Sequence, residues 1–452
     1  MKMKKVLSLL LSFCMIFALA ACGGNNDQTA APANGTQAAD ATPAATQSGG
    51  ASPEASGDEV SIVLATYPVG KYGDESTMTE LIAAFNAVYP NIHVEVQYLD
   101  YTNGDDQVNT AINGGQAPDL IFEGPERLVA NWGDKGYLVD LSDLWSSETS
   151  GQIYDFIETA CKHPSGAYYE YPVCMTTHCM AINYDAFEAA GALQYIDEAT
   201  HTWTTEGFIN AVAALVANGQ PNAGIVFCGG QGGDQGTRAL INNLYGGTFT
   251  NAEHTQYTAD SAENVKALQL LYDMEGIEFD AASVGSDEIG LFCNGTLNMA
   301  FCWNVAQELS ETAGQTAQFE IFPMAFPTES GAPKLQGGIW GYGVFDNGDP
   351  AKIEAAKTLI RFMTEDDAQY TNAVLASNYW PVRELAGIYS DNEVMTEYGM
   401  FMQYMGDYYQ VTSGWAEART AWWNMLQQIG AGTAVEEAVA AFVETANTAA
   451  GN

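Results

Sequence analysis

Strand and helix patterns alternate from residue 60 onward, and this order limits the chain to a small group of folds. Residues 60–65 form an apolar run that ends before Pro68, and residues 76–88 carry apolar side chains at helical spacing. Residues 92–96 alternate as a strand, and residues 105–113 again have a helical pattern. This strand–helix–strand–helix order predicts an α/β fold built on a right-handed parallel sheet. The chain after residue 57 is too long for one ordinary core, so we expect two domains.

A third strand is expected at residues 120–122, where a short apolar run is stopped by Glu123-Gly124-Pro125. Glu126 and Arg127 then open a helix. In open α/β sheets, ligands bind outside the carboxyl ends of the strands, so we expect this turn to line a ligand cleft. The alternative is a solvated first helical turn, in which an acid near the helix N-terminus is simply favourable.

The first 57 residues are expected to lie outside the fold. Residues 1–21 combine a basic start, an apolar run and small residues before Cys22, which indicates a secretory signal peptide. The ending resembles the lipobox of bacterial lipoproteins, which implies a lipid on Cys22; an ordinary secreted protein is the alternative. Residues 22–57 are rich in Ala, Thr, Pro, Gly and Ser, and such a segment favours a disordered tether.

The net charge of the chain limits the kinds of partner that we expect it to bind. The chain has 56 acidic and 15 basic residues, for a formal net charge of -41. Nucleic acid is therefore not an expected partner, because few cations are present to neutralise phosphates. No second apolar run of about 18 residues follows Cys22, so we expect membrane attachment through the lipid alone. The acid excess leaves open a cationic solute such as a polyamine.

No sequence motif indicates catalysis, a cofactor or a metal. Cys174, His178 and Cys179 fit no zinc spacing, and residues 229–236 lack the spacing of a nucleotide-binding loop. We therefore expect no cofactor, no metal and no enzymatic activity, with a secreted glycosidase using paired carboxylates as the least favoured alternative. We interpret the cysteines of the body as mostly buried thiols, with disulfides left open: Cys161, Cys174, Cys179, Cys228, Cys293 and Cys302.

Several short segments resemble, in the same order, the extracellular solute-binding proteins of ABC importers, and specifically the sugar-binding cluster that includes maltose-binding protein. They include GQAPD from Gly115, NYDAF from Asn183 and GTAVEEA from Gly432. The resemblance covers nearly all of residues 58–450. It implies a periplasmic-binding-protein-like fold, in which two α/β lobes are joined by a hinge and close on a ligand in the cleft between them.

The resemblance also implies the domain bounds and the partners. Lobe one would be residues 58–165 plus about 310–375, and lobe two about 166–309 plus 376–452. The protein would be a monomer that is lipid-anchored to the outer face of the cytoplasmic membrane of a Gram-positive envelope. It would deliver a small solute, expected to be a sugar, to ABC permease subunits. A sensor that presents its ligand to a signalling receptor uses the same fold and remains an alternative.

Positions carried over from the family give the candidate ligand-binding residues. Glu123 stands where the family has an aromatic residue, which weakens the expectation of an identical sugar. Aromatic plates and charged or amide groups suit the two faces of a pyranose ring. The predicted site comprises Thr66, Tyr67, Glu123, Glu126, Arg127, Thr176, Thr177, Gln231, Asp234, Trp303, Trp340 and Trp380.

Overall fold

The structure is a computed structural model that describes residues 58–230 and 234–452. The predicted signal peptide, the predicted lipidation site Cys22, the predicted tether and Gln231 lie outside the described residues.

Eleven strands are present in the described part of the chain. They are β1 (Val60–Thr66), β2 (Ile92–Tyr98), β3 (Leu120–Glu123), β4 (Tyr171–Thr177), β5 (Cys179–Asn183), β6 (Gly224–Phe227), β7 (Ile277–Asp280), β8 (Met299–Trp303), β9 (Ile321–Met324), β10 (Gly337–Val344) and β11 (Trp380–Pro381).

A six-stranded sheet organises the first part of the fold, in the order β11-β4-β10-β3-β1-β2. Strands β1, β2 and β3 are parallel, with Leu64 opposite Leu120. Strand β10 runs antiparallel to both β3 and β4. The expected parallel sheet is therefore correct for the first three strands and wrong for the whole sheet. The strand that breaks the parallel pattern, β10, comes from a part of the chain more than 200 residues after β3, and it pairs with β3 in the opposite direction.

The other strands form a three-stranded sheet, in the order β8-β5-β9, and a two-stranded sheet of β6 and β7. Two connections join these sheets to the six-stranded sheet. In one, β4 passes into β5 with only His178 between them; in the other, residues 325–336 join β9 to β10. Burial lowers the pKa of His178 to about 4, so its ring is neutral at this crossing.

Fifteen helices cover the sheets in the described ranges. They are α1 (Glu75–Val88), α2 (Gly104–Asn113), α3 (Pro125–Arg127), α4 (Asp155–Cys161), α5 (Tyr184–Ala189), α6 (Thr205–Ala217), α7 (Asp234–Tyr245), α8 (Ala262–Asp273), α9 (Gly285–Cys293), α10 (Val305–Leu309), α11 (Pro350–Thr364), α12 (Asp367–Ser377), α13 (Glu393–Gly399), α14 (Trp415–Gly430) and α15 (Val435–Ala449).

Helix α11 shows how local chemistry fixes an element. Asp349 caps its N-terminus by accepting hydrogen bonds from the backbone nitrogens of Ala351 at 3.0 Å and Lys352 at 3.4 Å, and Pro350 occupies the first turn. The apolar stripe of α1 packs on the same region, where the rings of Phe85 and Phe362 meet edge-on at 5.4 Å. These contacts cover the six-stranded sheet on the side of β1.

Strand pairing divides the chain differently from the lobe bounds expected from sequence. Strand β9 pairs with β5, so the chain returns to the six-stranded sheet only at Gly337 rather than near residue 310. Strand β11 pairs with β4, although residue 376 onward was expected in the other lobe. The division into two lobes stays a prediction. These pairings would assign β9 to the lobe that contains β5 and β11 to the lobe that contains β4.

All six cysteines of the described ranges are buried and free. Within the same ranges, no helix combines the length and the apolar character needed to cross a bilayer.

Candidate functional site

Arg127 lies at the centre of a buried charged cluster, the Arg127 cluster, made of Asp105, Glu123, Glu126 and Arg127. Strand β3 ends at Glu123, and α3 starts two residues later, which places these side chains at the carboxyl end of the strand. Arg127 donates from Nη1 to Glu123 Oε1 and from Nε to Asp105 Oδ1, each at 2.7 Å. The Oε1 atom of Glu126 lies 3.6 Å from Arg127 Nη1. Glu126 and Arg127 are only 7% and 4% exposed, so this turn is not a solvated helix start.

Two tyrosine rings also contact the guanidinium group of Arg127. The rings of Tyr67 and Tyr101 stack at 5.1 Å, and the Arg127 guanidinium carbon lies 5.1 Å and 5.6 Å from their centres. Tyr67 also hydrogen-bonds Asp105 through its hydroxyl. Cation–π contact and ion pairing together fix Arg127 in one orientation.

Two buried acids, Glu123 of the cluster and Glu170 outside it, have oxygens without a hydrogen-bond partner in the described ranges. Glu123 Oε2 and both carboxyl oxygens of Glu170 are buried without a hydrogen-bond partner among the described residues. Burial, opposed by Arg127 and reinforced by Glu126, raises the pKa of Glu123 to about 8. Burial and the charges of Glu126 and Glu123 raise the pKa of Glu170 well above its usual range. Both shifts favour the neutral form of these acids over the ionised form.

The C-terminal part of the chain reaches this cluster through Tyr408. Its hydroxyl donates to Glu126 Oε2 at 2.8 Å. The next residue, Tyr409, faces the other way: its ring stacks on Phe249 at 4.9 Å, and its hydroxyl accepts from Arg238 Nε at 3.3 Å. Two consecutive tyrosines thus link the Arg127 cluster to α7.

Asp234 belongs to a second buried ion cluster. It pairs with Arg238 on α7 and with Arg419 on α14, whose Nε lies 2.9 Å from Asp234 Oδ2. Burial alone would raise the pKa of Asp234, but the charges and hydrogen bonds of the two arginines hold it well below its usual range. The Arg419 charge also acts to lower the pKa values of Asp105 and Glu123. The two ion clusters are therefore electrostatic neighbours.

The predicted threonines lie at strand ends. Thr66 is buried at the end of β1 and donates from its hydroxyl to the carbonyl of Tyr67 at 3.0 Å. Thr176 and Thr177 end β4, opposite Gly338 and Gly337 of β10. They lie directly before His178, which connects β4 to β5, and their role as ligand-binding residues stays a prediction.

The three predicted tryptophans have different surroundings. Trp303 is fully buried in β8, and its Nε1 donates to Tyr398 Oη at 2.6 Å. Trp340 stacks on Tyr379 at 4.7 Å and is 8% exposed. Trp380 is half-buried, with its ring 6.3 Å from that of Tyr389.

A cavity of about 410 Å³ lies next to these aromatic residues, and we call it the Lys71 cavity. Tyr389 connects it to the predicted site, because its hydroxyl donates to the Tyr379 carbonyl at 2.6 Å. None of the predicted site residues that the structure describes lines it. Its lining residues are Lys71, Leu309, Leu375, Asn378, Gly387, Ile388, Tyr389, Ser390, Asp391, Asn392 and Met395.

Sequence analysis missed several residues of the site. Asp105, Tyr101, Glu170 and Tyr408 gave no signal, because an isolated acid or tyrosine is common in a chain with 56 acids and 23 tyrosines. Arg419 had a usable signal: arginine is scarce here, so each one is a candidate for a specific contact.

Comparison with solved structures identifies the fold. An ABC substrate-binding protein of Listeria monocytogenes, solved with cycloalternan, matches 87% of this chain and 100% of its own, with a TM-score of 0.68 and 20% identity. Maltose-bound MalE3 of T. maritima matches 86% of this chain and 99% of its own, with a TM-score of 0.65 and 19% identity. The GacH receptor of Streptomyces glaucescens, solved unliganded and with acarbose, matches 87% of this chain and 99% of its own, with a TM-score of 0.69 and 15% identity. The expected periplasmic-binding-protein-like α/β fold is confirmed.

The family follows from a model of bacterial extracellular solute-binding proteins that matches residues 70–370. The chain belongs to this family, which confirms the resemblance. One curated relative, an uncharacterized lipoprotein in the oleD 5' region of Streptomyces antibioticus, is 35% identical over 74 residues. That match spans only 16% of this chain and 16% of the relative.

Proposed function

We propose that this protein is the solute-binding component of an ABC importer, and that it captures a sugar or oligosaccharide and delivers it to permease subunits. The observation that carries the proposal is the meeting of two chain regions at one buried polar cluster. Arg127 and Glu126 follow the six-stranded sheet, and Tyr408 reaches them from the C-terminal part. A site built from both regions can respond to a ligand by a change in their relative position.

The mechanism would be hinge closure about the two crossings at His178 and residues 325–336. A ligand shifts the balance towards the closed form only by the contacts that the closed form alone provides. The Arg127 cluster would supply contacts from one lobe, and Tyr408 and Arg419 those from the other. Capture and release then need no covalent chemistry, and we propose no enzymatic activity.

The charge state of the site favours a neutral solute over a cation. Burial raises the pKa values of Glu123 and Glu170 and so favours their neutral form, and Asp105 is already paired with Arg127. The acid excess of the sequence therefore does not produce a cluster of free carboxylates here. Hydroxyl groups, which both donate and accept hydrogen bonds, suit this mixture of neutral acids, tyrosines and arginine. The cycloalternan, maltose and acarbose bound by related folds agree with this choice.

Isothermal titration calorimetry of the full chain tests the solute class. We expect heat from at least one neutral sugar, such as maltose or glucose, and none from spermidine. Binding of spermidine without any sugar would support the cationic alternative and contradict the proposal. Release of reducing sugar ends during incubation with an oligosaccharide would indicate a glycosidase instead.

We also propose that the protein is an extracytoplasmic monomer anchored by lipid on Cys22. The residues that carry this expectation are the basic start, the apolar run and the small residues before the cysteine. Cys22→Ala should move the protein from the membrane fraction to the soluble fraction. Cys14→Ala is the matched control, because Cys14 lies within the apolar run and should leave anchoring unchanged. Equal membrane retention of both variants would refute the anchor.

A further inference from the structure

Glu170 is a fully buried acid whose carboxyl group has no hydrogen-bond partner in the described ranges. The residue is 0% exposed, and both its Oε1 and its Oε2 atom lack a partner there. It comes directly before β4, the strand that passes through His178 into β5. Its backbone carbonyl accepts a hydrogen bond from Trp145 Nε1 at 2.9 Å, which fixes its position. An ionised carboxylate here would lack both water and a protein donor, and burial of such a group is strongly unfavourable.

Two acids of the Arg127 cluster act on Glu170. The negative charges of Glu126 and Glu123 add to burial in raising the pKa of Glu170. Arg127 forms ion pairs with Asp105, Glu123 and Glu126, so three acids share one guanidinium group. Glu123 Oε2 also has no hydrogen-bond partner in the described ranges. Like charges this close together favour the protonated form of at least one of the acids.

The other titratable groups that act on Glu170 and Glu123 come from several elements. Burial and the charge of Glu170 raise the pKa values of Cys161, Cys174 and Tyr408, so these groups stay uncharged and do not neutralise Glu170. The groups that interact electrostatically with Glu170 are Glu123, Glu126, Cys161, Cys174 and Tyr408. Those that interact with Glu123 are Tyr67, Tyr101, Asp105, Glu126, Arg127, Cys174, Tyr379 and Arg419.

Tyr408 connects these acids to the C-terminal part of the chain. Its hydroxyl donates to Glu126 Oε2 at 2.8 Å, and the charge of Glu170 also acts on it. Tyr408 is itself buried, so it belongs to the packing that keeps water away from the acids. Movement of Tyr408 away from Glu126 would admit water, and the pKa values of the acids would then fall towards about 4.3, the usual value for glutamic acid.

We propose that Glu170 is a positioning residue that couples closure of the protein on its solute to the uptake of a proton. Protonated Glu170 allows Tyr408 to pack on Glu126 without a further negative charge beside them, and ionised Glu170 opposes that contact. The inference rests on the proposed function and adds a pH dependence to it. Because the closed form holds the proton more tightly, the gain in solute affinity is complete below the open-form pKa of about 4.3. It is lost as the pH rises towards the closed-form pKa.

Calorimetry of the full chain in two buffers of different ionisation enthalpy measures the protons that are taken up on binding. With maltose and glucose as probes, we expect the native chain to take up about one proton or more at neutral pH. Its affinity should fall by up to about tenfold per pH unit for each proton between about pH 5 and pH 8. Glu170→Gln resembles the neutral acid in size but cannot ionise, so it should take up about one proton fewer and show a weaker pH dependence.

Two further variants separate the proton from the packing of the side chain. Glu170→Asp keeps a carboxyl group but loses one methylene, so it should retain the proton uptake even where its packing is weaker. A residue that only fills space would give the same proton uptake in all variants. Glu148→Gln is the matched control, because Glu148 is exposed and its side chain makes no hydrogen bond or ion pair in the described ranges. It should take up as many protons as the native chain.

Infrared spectra of the full chain without solute give a second measurement that needs no ligand. The carbonyl stretch of a protonated carboxyl group should be stronger at neutral pH in the native chain than in Glu170→Gln, and Glu148→Gln should match the native chain. Sugar binding without proton uptake by the native chain, or with equal uptake in Glu170→Gln, would refute the inference and leave the proposed function intact. Absence of sugar binding would refute the proposed function, and absence of the infrared difference would separately refute the protonation of Glu170.

Discussion

Tyr408 donates a hydrogen bond from its hydroxyl to Glu126 Oε2 at 2.8 Å, although 282 residues separate the two in sequence. Both side chains are buried, at 9% and 7% exposure. This contact joins the end of the six-stranded sheet to the C-terminal segment.

Removing that hydroxyl should weaken the fold measurably. Tyr408→Phe leaves Glu126 with a buried acceptor that lacks its partner, which costs about 1–3 kcal/mol. We expect this loss in the free energy of unfolding, measured by urea denaturation. Tyr137→Phe is the control, because Tyr137 is 39% exposed and its hydroxyl makes no hydrogen bond within the described ranges. Equal stability of the two variants would show that the Tyr408 contact contributes nothing.

Gly236 should tolerate no side chain. A Cβ atom there would lie 1.9 Å from the carbonyl oxygen of Phe301, so α7 and β8 pack backbone against backbone. Gly236→Ala should lower the free energy of unfolding by several kcal/mol or prevent folding, since neither backbone can move without breaking the packing. Gly290→Ala, also within a helix, meets no atom within 4 Å and should be neutral or raise stability by up to about 1 kcal/mol. Thermal unfolding of the pair gives the comparison, and similar melting temperatures would contradict the close approach.

Asp234 should contribute stability that is lost in acid. Its folded-state pKa is depressed below the unfolded value of about 3.9, so its contribution is present above that pH and falls as the pH drops further. Asp234→Asn should lose about 3–5 kcal/mol at neutral pH, because Arg238 and Arg419 remain buried without their partner. The variant should also lack part of the native decline in unfolding free energy between about pH 4 and pH 2.

The control for this variant is Asp106→Asn, because Asp106 is exposed on α2 and its side chain makes no hydrogen bond or ion pair in the described structure. Its unfolding free energy should follow that of the native protein at every pH. An unchanged acid profile in Asp234→Asn would contradict the assigned role of the pair.

Glu288 should contribute stability that is lost as the pH rises, the opposite of the pH dependence expected for Asp234. Burial raises its pKa to about 8, although its carboxylate accepts from the backbone nitrogens of Phe301 at 2.7 Å and Cys302 at 2.9 Å. The unfolded value is about 4.3, so stability is present below that pH and is lost as the pH rises towards the folded-state value. Glu288→Gln should reduce the slope of unfolding free energy against pH by about one proton across this window.

Urea denaturation at a series of pH values from 4.5 to 9 would measure that slope. Glu278→Gln is the control, since Glu278 is exposed on β7. Identical slopes in the native protein and Glu288→Gln would show that Glu288 is ionised in the folded state.

Much of the fold could be predicted from local pattern. Residues 60–65 and 76–88 were expected as a strand and a helix, and β1 and α1 lie within one residue of those bounds. Such elements are predictable because their apolar periodicity, caps and turn residues are all local. The antiparallel entry of β10 was not predictable, since strand direction in a sheet depends on how a distant segment arrives.

Only part of the candidate site could be predicted from the local sequence pattern. Glu123, Glu126 and Arg127 were expected together because they follow one strand, and the structure places them in one ion cluster. Trp303 was expected to line the cleft, and its ring is fully buried with a hydrogen bond to Tyr398. The Lys71 cavity could not be expected, because its walls come from five separate parts of the chain.

The sequence by itself determined the alternation of strands and helices, the family and the scarcity of cations, because each of these depends on residues in their order along the chain. Only the tertiary structure decided which charges are neutralised and which are free. Burial raises the pKa of Glu123 although Arg127 lies beside it, and Glu126 gains a partner in Tyr408 through long-range packing. Dielectric environment and spatial proximity set those properties, and neither can be obtained from a one-dimensional pattern.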